Sequence, residues 1–316
     1  MRVGQNPAKS IEHVPQPARV TVAVVTYIPF LSGYYAESLE VLKACLGSLW
    51  ENTPPPFDLL VFDNASCPEV QAYLMDSQRG GHIQYLVLSD RNVGKGGAWN
   101  FIFQAAPGEI IAYADSDVCF YPGWLSTSLD LLEGFPKVGM VTARPLRTPE
   151  RFYTSTLEWA RNAPGAQLEQ GQYLSWEAFK EHNDSLGVTE ELAQEWYQTS
   201  HDWRIQFQGL CAYVGAAHFQ FVARKQVLQS LVPLQMVRPM GQVRTLDQKL
   251  NEGGFLRLNT CEALVKHMGN RLAATPGMAG PPAVAPPGLR KRLAGIPIVR
   301  RSLMWVYDRI FRLYFE

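Results

Sequence analysis

Long uncharged apolar runs are missing from this chain of 316 residues. No stretch approaches the roughly 20 residues that a bilayer-spanning helix needs, so no such helix is expected. Residues 1–19 are polar and contain prolines, without the apolar core of a secretory leader. Cysteine is scarce and scattered: Cys45, Cys67, Cys119, Cys211 and Cys261 never form a C-x-x-C pair. That spacing excludes the common zinc signatures and suits a reduced, cytoplasmic setting. Neither sign of charge is in excess, with 29 basic and 29 acidic residues. The basic footprint of a general nucleic-acid binder is therefore absent, and no internal repeat is visible.

Apolar material is nonetheless plentiful at 47% of residues, enough for a large buried core. Short β-rich runs recur at 20–27, 59–62, 83–88, 110–114 and 138–142. They are almost continuously apolar, as strands buried on both faces are. Helical patterns lie between them. Ser38 opens one as an N-cap, with Leu39, Leu42, Leu46 and Leu49 on a single stripe. Residues 97–106 and 123–135 read as two more. This alternation predicts an α/β fold with a doubly wound, mainly parallel sheet, whose ligands bind beyond the carboxyl ends of the strands.

Four regions follow from composition. Residues 1–18 form an N-terminal arm, and 19–270 one large domain. Within that domain, 19–145 is the half with the parallel-strand pattern, and 146–270 is a second half carrying a polar, Trp- and Glu-rich helical insertion at 150–205. Helices are expected there near Ser175 and Thr189. Residues 271–288 read as an extended linker rich in proline and glycine. Residues 289–316 form an amphipathic tail with seven basic residues against two acidic ones. Leu303, Val306, Tyr307, Ile310, Phe311 and Tyr314 recur there at helical spacing. The tail reads as an interfacial helix for an anionic membrane surface, with a helix packed on the catalytic domain as the alternative.

Asp115-Ser116-Asp117 directly follows the apolar run 110–114. In extended backbone, side chains at i and i+2 share a face. Both carboxylates are then expected to face one ligand, and two hard oxygen donors suit Mg²⁺ or Mn²⁺ bridging to phosphates. A solvated acidic turn is the plain alternative. Asp63 ends the run 59–62 before Asn64-Ala65-Ser66, where an acid can accept from a base or ribose hydroxyl or close an Asx turn. The stretch Arg91-Asn92-Val93-Gly94-Lys95-Gly96-Gly97 lets backbone approach an anion ahead of a helix N-terminus. Its spacing is not that of a P-loop.

These elements, in this order and spacing, resemble family 2 glycosyltransferases. The strand 20–27, Val61-Phe62-Asp63-Asn64-Ala65-Ser66, the Asn92-x-Gly94…Asn100 stretch and the D-x-D carry the resemblance. So do Leu246-Asp247-Gln248-Lys249-Leu250-Asn251-Glu252-Gly253-Gly254-Phe255 and Val265-Lys266-His267-Met268-Gly269 downstream. The resemblance implies a GT-A catalytic domain over 19–270, with 19–145 as its nucleotide-binding half and 146–270 as its acceptor half, and transfer of a sugar from a UDP-, dTDP- or GDP-linked donor to a glycan or lipid-linked glycan acceptor. By matching position, Thr26, Tyr27, Asp63, Asn64, Asn92, Gly94, Asp115 and Ser116 would bind the donor. Asp115, Asp117 and His267 would hold the metal, and Asp247 would be the general base of an inverting displacement. Leu246 stands where many members carry a second acid. Residues 13, 82, 182, 201 and 218, the other histidines, read as structural or surface residues. A cytoplasmic protein, peripheral on the membrane face, is expected. The rival readings are a catalytically silent binding protein of the same fold and a nucleotidyltransferase; Thr26-Tyr27-Ile28-Pro29-Phe30 stands where the latter carries a glycine-rich G-x-G-x-R segment.

Overall fold

The computed structural model describes residues 3–236 and 244–272. The chain divides after Leu272 into two units. The tail 289–316 and all but the first two residues of the linker 271–288 lie outside the described residues. The first unit alternates strand and helix: β1 (Val20–Thr26), α1 (Ser38–Asn52), β2 (Asp58–Asn64), α2 (Pro68–Arg79), β3 (Tyr85–Ser89), α3 (Gly94–Ala105) and β4 (Ile110–Asp115). Then come β5 (Val118–Phe120), α4 (Trp124–Gly134), β6 (Val138–Thr142), α5 (Thr154–Asn162), β7 (Gln167–Gly171), α6 (Trp176–Ser185), α7 (Glu190–Thr199) and β8 (Asp202–Phe207). The described part closes with β9 (Leu210–Val214), β10 (Gln220–Arg224), α8 (Lys225–Leu231), α9 (Arg244–Glu252), β11 (Leu256–Asn259) and β12 (Val265–His267).

Ten strands form one sheet in the order β3-β2-β1-β4-β10-β6-β11-β9-β8-β7, and β12 pairs with β5 in a small second sheet. β1 pairs in parallel with β2 and β4, and β2 with β3. β1 is buried at all seven positions, which explains its unbroken apolar and threonine composition. Successive β1 residues still face opposite layers. Val22 and Val24 join Leu42, Leu46 and Leu49 of α1, whereas Ala23 and Val25 join Trp99, Ile102 and Phe103 of α3. Helices therefore cover both faces.

Beyond β4 the pairing changes. β10 runs antiparallel to both β4 and β6, and Gln220 lies opposite Ala114. The segment leading into β10 must therefore pass across the carboxyl end of β4. Region 150–205 carries the helices expected from Ser175 and Thr189, and the Ser175 hydroxyl accepts from Ala178 N–H. It is not helical alone, because β7 and β8 extend the central sheet at its edge. Their part-exposed, mixed composition hides them from a search for apolar runs.

α3 begins at Gly94, three residues ahead of the expected start, so the glycine-rich stretch is its first turn. Gly94 has φ of +72°, a left-handed conformation that favours glycine.

Candidate active site

The parallel register aligns Thr26 with Asp63, and Val25 with Asp115, at the carboxyl end of the sheet. Thr26 is 1% exposed and its hydroxyl has no partner. Tyr27 follows, half-buried, with its ring edge-on to Tyr35. Asp63 is fully buried, and its carboxylate accepts from Ser66 N–H at 3.2 Å and from Gln71 Nε2 at 3.0 Å. The turn-bracing geometry is thus the one Asp63 adopts here. It holds Ala65 at φ of +70°, a strained value for a residue with a side chain.

Asn64 and Asn92 link the end of β2 to the start of α3. Asn64 Oδ1 accepts from Val93 N–H at 2.8 Å, and Asn64 Nδ2 donates to Asn92 Oδ1 at 2.9 Å. Asn92 Oδ1 also accepts from Gly94 N–H at 2.8 Å. Both asparagines therefore fix the loop that leads into α3 against the end of β2.

Asp115 and Asp117 depart from the expectation of a shared face. Asp115 ends β4, while Ser116 and Asp117 form the turn into β5, so the extended i, i+2 geometry stops at Asp115. Asp115 Oδ1 accepts from Tyr113 Oη at 2.5 Å, and Asp115 Oδ2 meets Lys95 Nζ at 2.6 Å. Burial, reinforced by Asp115, pushes the Tyr113 phenol well above its ordinary range, so Tyr113 stays a neutral donor.

Asp117 Oδ2 lies 3.3 Å from His267 Nε2 across the β5–β12 pair. Asp117 Oδ1 is buried and has no hydrogen-bond partner. Such an oxygen is costly unless something positive completes it. Burial lowers the pKa of His267, but the adjoining Asp117 outweighs it and the net shift is upward. His267 Nδ1 contacts Ser185 Oγ at 3.0 Å, so α6 of the insertion orients this ring. His182, also on α6, is held neutral chiefly by burial, its pKa lowered to about 3. Among the described residues, no three His, Cys, Asp or Glu side chains are gathered to hold an ion by themselves.

Asp247 lies on the buried face of α9 with Leu246 and Leu250, at 4% exposure. Its Oδ1 accepts from Arg257 Nη2 at 2.7 Å, and its Oδ2 lies 3.2 Å from His218 Nδ1. Arg257 is 1% exposed and donates as well to the carbonyls of Phe152 and Ala216.

Sequence reasoning thus missed four residues at the site. Tyr113 was legible in principle, being two residues before Asp115 on the same strand. Lys95 stood inside the quoted glycine-rich stretch, but nothing assigned it to Asp115. Arg257 draws no reading from the sequence, and His218 falls among the structural or surface histidines. A separate cleft of about 400 Å³, lined by Arg151, Arg244, Gln248 and Asn251 among others, shares no residue with this cluster.

A large central sheet with helices on both faces and a D-x-D turn at the end of β4 defines an α/β protein of the GT-A class. The profile of glycosyl transferase family 2 matches residues 33–204, over half of the chain, and the protein belongs to that family. No curated protein matches the chain. Many solved structures are similar in fold, among them these three. One is a mannosyltransferase from Pyrobaculum calidifontis in complex with GDP-Man and Mn²⁺, at 16% identity and a TM-score of 0.47, covering 80% of this chain and 58% of that one. The second is TarS from S. aureus, at 11% identity and a TM-score of 0.45, covering 80% of this chain and 60% of that one. The third is GalNAc-T7 with UDP, GalNAc and Mn²⁺, at 14% identity and a TM-score of 0.48, covering 80% of this chain and 44% of that one. The chain thus spans 44–60% of the length of these three proteins. No helix among the described residues is long and apolar enough to cross a membrane.

Proposed function

We propose that this protein transfers a sugar from a nucleoside-diphosphate donor to a hydroxyl of a glycan or lipid-linked glycan, with inversion at the anomeric carbon. The donor is UDP-, dTDP- or GDP-linked and lies in the crevice at the carboxyl ends of β1, β2 and β4. Thr26, Tyr27, Asn92, Gly94 and Ser116 would bind it there, with Asp63 and Asn64 buried behind them and bracing the turn after β2. The observation that carries the reading is Asp117, whose Oδ1 is buried and unpartnered while its Oδ2 lies beside His267 Nε2, within a chain of glycosyl transferase family 2.

These two residues fit a divalent cation. Mg²⁺ characteristically takes one or two carboxylates and completes its shell with phosphate oxygens and water, so two protein ligands suffice when a diphosphate supplies the others. Asp117 and His267 would hold Mg²⁺ or Mn²⁺, with Asp115 beside them. When bound, the ion supplies positive charge against the leaving diphosphate. Lys95, held by Asp115, adds a second positive charge at the same place. On the acceptor side the base function draws on Asp247, the carboxylate buried on the inner face of α9. The positive charge concentrated in residues 289–316 supports docking on an anionic membrane surface, where a lipid-linked acceptor would be presented.

Thermal shift with Mn²⁺ and UDP, dTDP or GDP tests the metal assignment. Wild type should be stabilised by one nucleotide only when Mn²⁺ is present. Asp117→Asn should keep its own melting temperature and lose that increment. An Asp117→Asn protein that binds the nucleotide and Mn²⁺ like wild type would overturn it.

A further inference from the structure

Both oxygens of Asp247 are engaged within the protein. Oδ1 faces the guanidinium of Arg257 and Oδ2 faces His218 Nδ1. At 4% exposure the carboxylate offers no open edge to an acceptor hydroxyl. Its neighbour does: the His218 side chain is 31% exposed. A carboxylate already paired with a guanidinium can only accept, so Nδ1 carries the proton in that contact. Nε2 is left with its lone pair at the far side of the ring.

The backbone holds His218 beside the donor crevice from several sides. Gly215, at φ of +114°, donates to Arg257 O at 2.9 Å, and Ala216 O accepts from Arg257 Nη2 at 2.6 Å. Ala217 N–H donates to Thr142 Oγ1 at 2.8 Å, and Phe219 O accepts from Asp115 N–H at 2.8 Å. The His218 ring stands edge-on to Trp99, whose other neighbours include Lys95, the partner of Asp115. The imidazole is thus fixed at the end of β4, one residue from the strand-end contact of the D-x-D.

We infer that His218 Nε2 is the general base of the transfer and that Asp247 is its positioning residue, an assignment that rests on the glycosyl transfer proposed above. Nε2 removes the proton of the acceptor hydroxyl as its oxygen forms the bond to the anomeric carbon. The bond from that carbon to the diphosphate oxygen breaks, and its electron pair leaves on the nucleoside diphosphate. The proton stays on the imidazolium, balanced by Asp247, and passes to solvent from the exposed ring edge. This follows the logic of a base oriented by a third group.

The test follows nucleoside-diphosphate release from UDP-glucose, UDP-N-acetylglucosamine, dTDP-rhamnose and GDP-mannose with Mn²⁺, water serving as the acceptor. His218→Ala should lower turnover by about 10²–10⁴-fold, with KM and the nucleotide-dependent thermal shift unchanged. Added imidazole should restore at least about tenfold of that loss by supplying the missing base. His218→Gln, which retains a hydrogen bond to Asp247, should lose as much and not be rescued; it also serves if the alanine variant fails to fold. Asp247→Asn should lower turnover without rescue, because the base is present but held in the wrong tautomer. Turnover of His218→Ala within about threefold of wild type, or a loss that imidazole leaves untouched, overturns the assignment. So does loss of nucleotide binding in that variant, which would make His218 a donor contact. If the wild type releases nucleotide from none of the four donors, the glycosyl-transfer reading itself fails, and this assignment with it.

Discussion

Residues 19–145 and 146–270 are built on one sheet by different means. In the first half, β1, β2 and β4 are parallel and nearly all apolar, and their side chains meet Leu42, Leu46 and Leu49 on one face and Trp99 and Phe103 on the other. In the second half the pairing is largely antiparallel, and charged side chains are buried at its joints. Arg257 ties β11 to α9 and to the segments at Phe152 and Ala216. Arg147 ties Asp202 at the start of β8 to the end of α7 through the carbonyls of Tyr197 and Ser200. Arg144, the second-last residue of the first half, is drawn into the same scheme and donates to the carbonyls of Val265 and of Ala178 on α6. Apolar burial is non-directional and tolerates small shifts. A buried guanidinium demands particular partners, and losing one leaves charge or carbonyls unsatisfied. The first half can therefore be a general scaffold, while the second half fixes individual side chains, among them Asp247 and His218.

Arg257→Met gives the largest expected effect on stability. It strands the Asp247 carboxylate in the core and should cost about 3–5 kcal/mol in chemical denaturation. The double variant Arg257→Met, Asp247→Leu sharpens the point, since replacing both partners with apolar groups should recover most of that loss. If the double variant is no more stable than the single, the pin acts through its two carbonyl contacts and not through the ion pair.

Leu46→Ala probes the other half. Leu46 is fully buried in the layer that α1 forms on the sheet. Its truncation should cost about 3 kcal/mol through lost transfer energy and a residual cavity, and Leu46→Met should cost under about 1.5 kcal/mol. An equal penalty for both replacements would mean that this half, too, demands particular side chains, and the contrast would break.

The smallest effect on folding is expected from deleting residues 289–316. The catalytic unit should melt as before, while sedimentation with anionic vesicles at low salt, present for the full chain, should be lost. Each basic residue near such a surface contributes on the order of 1 kcal/mol and is screened by salt. A full-length chain that ignores these vesicles, or a deletion that lowers the melting temperature, would remove the tail from the membrane reading.

The sequence by itself determined the α/β alternation, the five apolar strand runs and the placement of acids at strand ends. These are local properties, because helix and strand periods show within a few residues, although β3, at the sheet edge, is partly exposed despite its apolar run. It also marked Asp115, Asp117, Asp247 and His267 through the resemblance they carry, but not their partners. Only the tertiary structure decided that Lys95 neutralises Asp115, that Ser185 of the insertion orients His267, and that Asp247 meets Arg257 and His218. The last of these depends on β10 entering antiparallel beside β4, which carries residues 215–219 across the carboxyl end of that strand. Strand order is set by the packing of whole layers, and no residue's neighbours in the chain record it.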